Sequence, residues 1–197
     1  MMKLYTGTPG SGKSLHMAKV IKNALKMGVT VICNFHVNKS LEGYDNFIYY
    51  DTYTLTPKML YGFSDMYFKD KKSVEEDSIL LVMDECHRIF NPRMWQRKDR
   101  MDWLDFFTLH RHYGFYCLLV CQFDKQIDSQ LRPLVEYECI HRKVSNFGIR
   151  GKILSLVMGG KTFLALNYWY PVRQYMGSEV IHGGQKLYTV YDTYNKF

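Results

Sequence analysis

The chain has 197 residues and a formal net charge of +7, from 26 Lys+Arg against 19 Asp+Glu, a size that suits one α/β domain with a substantial core. Its five cysteines, Cys33, Cys86, Cys117, Cys121 and Cys139, are odd in number and several fall in apolar strand-like runs, which excludes a disulfide framework and indicates a reduced, cytosolic chain. The longest apolar runs reach only strand length, so neither a transmembrane helix nor a signal peptide is expected, and any membrane attachment must come from a partner or from missing sequence.

Lys3-Leu4-Tyr5-Thr6 reads as a short buried strand, and Gly7-Thr8-Pro9-Gly10-Ser11-Gly12-Lys13-Ser14 follows it at once. Glycines at these places let successive backbone N–H groups turn inward around a phosphate without a Cβ in the way. Lys13 then reaches the β and γ phosphates, Ser14 offers a hydroxyl to Mg²⁺, and the helix that begins there points its positive end at the anion. Leu15, Ala18, Ile21 and Leu25 recur at helical spacing, with Gly28 as the stop. Gly7 through Leu15 are the expected nucleotide-binding residues.

Val29 to Phe35 is a second strand by its β-branched content, Asn46 to Tyr50 a further short one, and Pro57 initiates a helix over Lys58 to Phe68. Lys69 to Asp77 is a charged surface loop. Ile79-Leu80-Leu81-Val82-Met83 is apolar throughout, as in a parallel sheet covered on both faces, and it ends in Asp84-Glu85. Ligands of such sheets sit beyond the carboxyl ends of the strands. Asp84 is expected to hold Mg²⁺ directly or through water, and Glu85 to polarise a water for attack on the γ phosphate.

Trp103, Phe106, Phe107 and His110 share helical spacing over Asp102 to His110. Phe115 to Cys121 is another apolar strand, which puts Cys117 and Cys121 on one face among apolar neighbours and argues against zinc there. It ends at Gln122, either a surface glutamine or, if this strand lies between those of Lys13 and Asp84, a contact to the γ phosphate or the attacking water. Arg111 could be an arginine finger for a neighbouring subunit or a structural ion-pair partner, and Arg132 is another candidate. Asp128 to Val135 reads as a short helix interrupted at Pro133, and Tyr137 to Val144 as the fifth core strand. Lys152 to Met158, Thr162 to Trp169 and Lys186 to Asp192 read as a β-rich appendage, with a hairpin at Gly159-Gly160. The expected division is a nucleotide-binding core over residues 1–150 and a β-rich extension over 151–197 packed on it.

Gly7 to Ser14, Leu81 to Phe90 with Pro92-Arg93, His110-Arg111-His112-Tyr113-Gly114 and the strand closing on Gln122 together resemble the zonular occludens toxin family, the assembly ATPases of filamentous bacteriophages. The Tyr188-Tyr191-Asp192-Thr193-Tyr194 segment also looks like the end of that family's ATPase domain. The resemblance implies an α/β P-loop NTPase fold of the additional-strand type, with parallel sheet order 5-1-4-3-2. It implies ATP and Mg²⁺ as cofactors, with Gly12, Lys13 and Ser14 at phosphate and metal positions, Asp84 and Glu85 at metal and water positions, and Gln122 at the sensing position. It further implies a morphogenesis motor on the cytoplasmic face of the host inner membrane. Such a motor would work with other phage assembly proteins and would strip single-strand-binding protein from phage DNA or drive packaging and extrusion. Many members carry a transmembrane helix and periplasmic domain after the ATPase region; none is expected in these 197 residues, which implies either a piece of a longer protein or a member with a different attachment.

Finger action requires a neighbour, so the motor is expected as a homo-oligomeric ring, a hexamer. The aromatic residues, 16 Tyr and 12 Phe, serve as core or could stack on single-stranded bases. Two alternatives share the loop: a small-molecule or nucleotide kinase, and a nucleotide-binding assembly scaffold with little turnover. Glu85 beside Asp84 and the absence of an arginine-rich lid segment weigh against the kinase.

Overall fold

Strands β4 (Ile79–Met83) and β5 (Phe115–Val120) are buried on both faces, and strict alternation divides their side chains between two cores. Ile79, Leu81, Met83, Phe115, Cys117 and Leu119 point to one side, and Leu80, Val82, Leu118 and Val120 to the other. The computed structural model describes residues 1–94, 98–157 and 161–191.

The other strands are β1 (Met2–Thr6), β2 (Thr30–Cys33), β3 (Phe47–Tyr49), β6 (Tyr137–Lys143), β7 (Thr162–Trp169) and β8 (Gln174–His182). They form one sheet in the order β3-β2-β4-β5-β1-β6-β7-β8. Pairing is parallel from β3 through β6 and antiparallel for β6 with β7 and β7 with β8. Apart from the three-residue β3, the parallel strands run β6-β1-β5-β4-β2, which counts in chain order as 5-1-4-3-2.

Helix α1 (Lys13–Lys26) covers one face through Met17, Ile21 and Leu25. Helices α2 (Pro57–Phe68) and α3 (Arg100–Leu109) cover the other. Thr56 caps α2 by accepting from Met59 N at 3.3 Å, with Pro57 in the first turn where its missing N–H costs nothing. On the α3 side, Trp103, Phe106 and Phe107 pack with Phe90 and Phe115; Phe106 meets Phe115 at 5.3 Å and 68°, and Phe90 meets Trp103 at 5.2 Å and 77°. These edge-to-face pairs suit the ring quadrupoles. All five cysteines are buried and free, and Cys117 and Cys121 lie in the same apolar core.

The C-terminal region differs from the sequence expectation in two places. Residues 148–157 form helix α4 (Gly148–Val157), where Lys152 to Met158 was expected as a strand. An apolar run of this length does not distinguish the two, and here Ser155 turns inward while Ile149, Ile153, Leu156 and Val157 remain exposed. The segment expected as a last strand contains the short helix α5 (Gln185–Tyr188), and its last residue, Asp192, lies outside the described residues. The hairpin expected at Gly159-Gly160 also lies outside them; the observed hairpin joins β7 to β8 through a turn at Tyr170–Val172. Asp128 to Val135 carries only a tight 3-10 turn at Arg132–Leu134, as Pro133 permits no longer helix.

Candidate nucleotide and metal site

The glycine loop crosses the carboxyl end of β1 and runs into α1. Gly7 has φ 139° and Gly12 has φ 101°; a Cβ on Gly7 would lie 2.5 Å from the His141 carbonyl oxygen, and one on Gly12 2.5 Å from the Phe163 ring. Both backbone angle and space therefore demand glycine. Gly7 N donates to the Gln122 carbonyl at 3.0 Å and Ser11 N to the Thr8 carbonyl at 3.1 Å. Thr8, Pro9 and Gly10 are exposed, Ser11 and Lys13 are buried, and Leu15 anchors the helix in the α1 core. Lys13 Nζ donates to the carbonyls of Gly7 at 2.6 Å and Thr8 at 3.3 Å. Burial holds its ammonium below the usual lysine range, opposed by the charges of Glu85 and Asp84.

A buried chain of hydrogen bonds props this loop from beneath. His141 Nδ1 lies 3.1 Å from the Thr6 carbonyl, which can only accept, so that nitrogen carries the proton. His16 Nδ1, 2.9 Å from His141 Nε2, must then donate, and Tyr5 OH donates to His16 Nε2 at 3.1 Å. Burial lowers both imidazoles to about 3, and this direction of the bonds is the one that two neutral rings adopt. Cys139 joins the two histidines within 4.8 Å, but their nitrogens are already committed to one another and to Thr6 and Tyr5.

Asp84 and Glu85 leave β4 on the other side of the loop, where a cleft of about 220 Å³ is lined by Ser14, Asn34, Phe35, Thr52, Asp84, Glu85, Arg88 and Tyr191. Asn34, just past β2, clamps Asp84 by its backbone: Nδ2 donates to the Asp84 carbonyl at 2.9 Å and Oδ1 accepts from Asp84 N at 2.8 Å. The same Nδ2 lies 2.9 Å from Thr52 Oγ1. The Asp84 carboxylate accepts from Glu85 N at 2.9 Å and Tyr191 OH at 3.2 Å. Burial and then the neighbouring Glu85 raise its pKa. Glu85 sits at φ 48°, a left-handed angle uncommon outside glycine, and its Oε2 is 3.1 Å from His87 Nδ1.

The residues fit a nucleoside triphosphate with its metal. Ser11 Oγ is buried with no hydrogen-bond partner among the described residues, the two glycines leave a cradle that a Cβ would fill, and the Asp84 carboxylate, which lines the cleft with Ser14, accepts from neutral donors among the described residues. Ser14 and Asp84 could hold Mg²⁺ through oxygen, the ligand it prefers.

Gln122 lies just past β5, which runs between β1 and β4, and lines a second cleft of about 490 Å³ with Gly7, Thr8, Glu138, His141, Arg142, Lys143 and Arg173. Arg173, at the turn into β8, bridges Asp124 and Glu138. Arg111 stands apart: it pairs with Glu136 at the amino end of β5. Five residue steps along β5 at about 3.3 Å each put it roughly 17 Å from the loop within one chain. Arg132 lies in the 3-10 turn, lining a shallow cleft with Tyr170 and Arg173. Sequence reasoning missed Asn34, Thr52, Tyr191 and the His16–His141 relay. Asn34 follows a β-branched run at a strand's carboxyl end, a legible position; the others depend on long-range packing.

A glycine loop between strand and helix, an acid-tipped strand and a 5-1-4-3-2 parallel core define a P-loop NTPase. The family model described as "Zonular occludens toxin (Zot)" matches residues 1–161, and the chain belongs to that family. The gene 1 proteins of Enterobacteria phages fd and M13 are 28% and 27% identical, each alignment covering 98% of this chain and 59% of the relative; the chain thus spans about three-fifths of their length. The N-terminal domain of zonular occludens toxin from Neisseria meningitidis superposes with a TM-score of 0.62 at 19% identity, covering 97% of this chain and 98% of that one. The genome packaging NTPase B204 of Sulfolobus turreted icosahedral virus 2, in complex with AMPPCP, gives 0.55 at 15% identity over 92% and 96%. No helix among the described residues is long and apolar enough to cross a membrane.

Proposed function

We propose that this chain is the ATP-hydrolysing part of a filamentous-phage assembly motor. It couples ATP turnover to remodelling or translocation of single-stranded phage DNA, or of its complex with a binding protein, during virion export at the host inner membrane. The observation that carries this reading is the cleft in which Ser14, Asp84 and Glu85 meet beside the glycine loop. Membership of the Zot family, the kinship to filamentous-phage gene 1 proteins and the net charge of +7 support the phage and DNA parts.

In this reading the loop N–H groups and Lys13 bind the phosphates, with Lys13 exchanging the Gly7 and Thr8 carbonyls for phosphate oxygens. Ser14 and Asp84 hold Mg²⁺, which when bound neutralises charge on the β and γ oxygens. Glu85 accepts the proton of the attacking water, and Gln122 contacts the γ phosphate or that water. Arg111 cannot reach its own loop, so its action as a finger belongs to a homo-oligomeric ring, proposed as a hexamer, in which it approaches the site of a neighbour. The work is done on the cytoplasmic side, together with other assembly proteins.

The test is phosphate release from ATP by purified protein with Mg²⁺ and DNA under oligomerising conditions. Turnover lost in Lys13→Ala, with no phosphorylated acceptor formed, supports the motor. No hydrolysis by the parent, or a Lys13→Ala variant as active as the parent, overturns it.

A further inference from the structure

Tyr191 is 107 residues from Asp84 in sequence, yet its hydroxyl donates to Asp84 Oδ2 at 3.2 Å. The two ends of this contact are built separately. Asp84 is held by the Asn34 amide, which takes both its N–H and its carbonyl. Tyr191 is held by the next residue, Phe35, whose ring centroid is 4.3 Å from its own at 49°. The segment leading to Tyr191 is itself anchored: Val190 is fully buried, Asn38 N donates to the Val190 carbonyl at 3.0 Å, and Asn38 Nδ2 to the Thr189 carbonyl at 3.1 Å. One short stretch after β2 thus places both partners.

The carboxylate of an aspartate turns readily about its terminal Cβ–Cγ torsion unless its oxygens are engaged. Glu85 N engages Oδ1 and Tyr191 OH engages Oδ2, and each oxygen keeps a lone pair for a cation or its water. Both donors are neutral, so the charge is oriented without being cancelled.

We infer that Tyr191 is a positioning residue for the metal, fixing the Asp84 carboxylate toward Ser14 and tying the segment after α5 to occupancy of the cleft. This rests on the proposed Mg²⁺ and ATP site.

The experiment measures ATP binding by the purified chain with and without Mg²⁺, and the Mg²⁺ dependence of turnover, for the parent, Tyr191→Phe and Asn38→Ala. Tyr191→Phe keeps the ring on Phe35 and removes only the hydroxyl. The expected result is a roughly tenfold rise in half-saturating Mg²⁺, the scale of one hydrogen bond to a charged group, with metal-free ATP binding unchanged. Asn38→Ala is expected to shift the same midpoint less. An unchanged midpoint in Tyr191→Phe overturns the inference and leaves the ATPase reading standing, as does a lowered one, which would make the hydroxyl a competitor of the metal. A parent that binds no ATP with or without Mg²⁺ overturns the reading and the inference together.

Discussion

The two sides of the glycine loop treat buried carboxylates in opposite ways. On the β6 side, Glu138 is buried and takes a hydrogen bond from Thr6 Oγ1 at 2.7 Å, and Arg173 bridges it to Asp124. On the β4 side, the Asp84 carboxylate accepts, among the described residues, from Glu85 N and Tyr191 OH. An acid already matched by a guanidinium belongs to the scaffold, because leaving either partner unpaired is costly. A carboxylate held by neutral donors beside a hydroxyl such as Ser14 keeps its charge for an incoming cation. The difference lies in the neighbours, since Glu138 lies in β6 and Asp84 just past β4, both strands of the same sheet.

The largest expected effects are on catalysis, and they break the β4 side. Glu85→Gln should lower ATP turnover by roughly 10²–10⁴-fold with ATP binding retained, since it removes the base and leaves the cradle. Asp84→Asn should abolish the Mg²⁺ response while leaving stability within about 0.5 kcal/mol or raising it, because the buried charge removed is hydrogen-bonded to neutral donors and feels Lys13 only at a distance. Denaturant titration beside a phosphate-release assay separates these outcomes.

On the β6 side the order reverses. Arg173→Ala should destabilise the fold by about 1–3 kcal/mol, below the value for a fully enclosed pair because Arg173 is half exposed. Turnover per folded molecule should change far less than in Glu85→Gln. Equal losses of turnover in the two variants would erase the contrast.

A change of pH sharpens the comparison in another way. His16 and His141 are lowered by burial to about 3 in the folded chain, against about 6.5 unfolded. A lowered folded pKa gives stability that is fully present above the unfolded value and is lost as pH falls from there toward 3. Melting temperature should therefore decline below about pH 6.5, with a slope of up to about 1.4 kcal/mol per pH unit for each imidazole. His141→Asn, which keeps a donor for the Thr6 carbonyl, should flatten that slope in calorimetric scans from pH 7 to pH 4.

The loop, the helix after it, the acid-tipped β4 and the position of Gln122 at the end of β5 were all legible, because each is a local pattern: a glycine spacing, a 3.6-residue period, an apolar run with a polar end. The C-terminal third was harder to read. Ile149, Ile153, Leu156 and Val157 look like interior residues and stand exposed on α4, so hydrophobicity misreports their placement. β8 escaped notice because most of its residues are exposed on the sheet edge, where alternation of burial is weak. Arg111 was legible as a candidate, but its ion pair with Glu136 at the far end of the sheet was not.

The amino-acid sequence by itself determined the phosphate cradle and the acids at the strand tip, since spacing along a chain dictates local backbone geometry and side-chain type dictates chemistry. Only the tertiary structure decided which acid keeps its charge, through Asn34, Tyr191 and Arg173. Those contacts join residues 35 to 107 positions apart, and pairing over such distances is set by how the strands stack in the sheet.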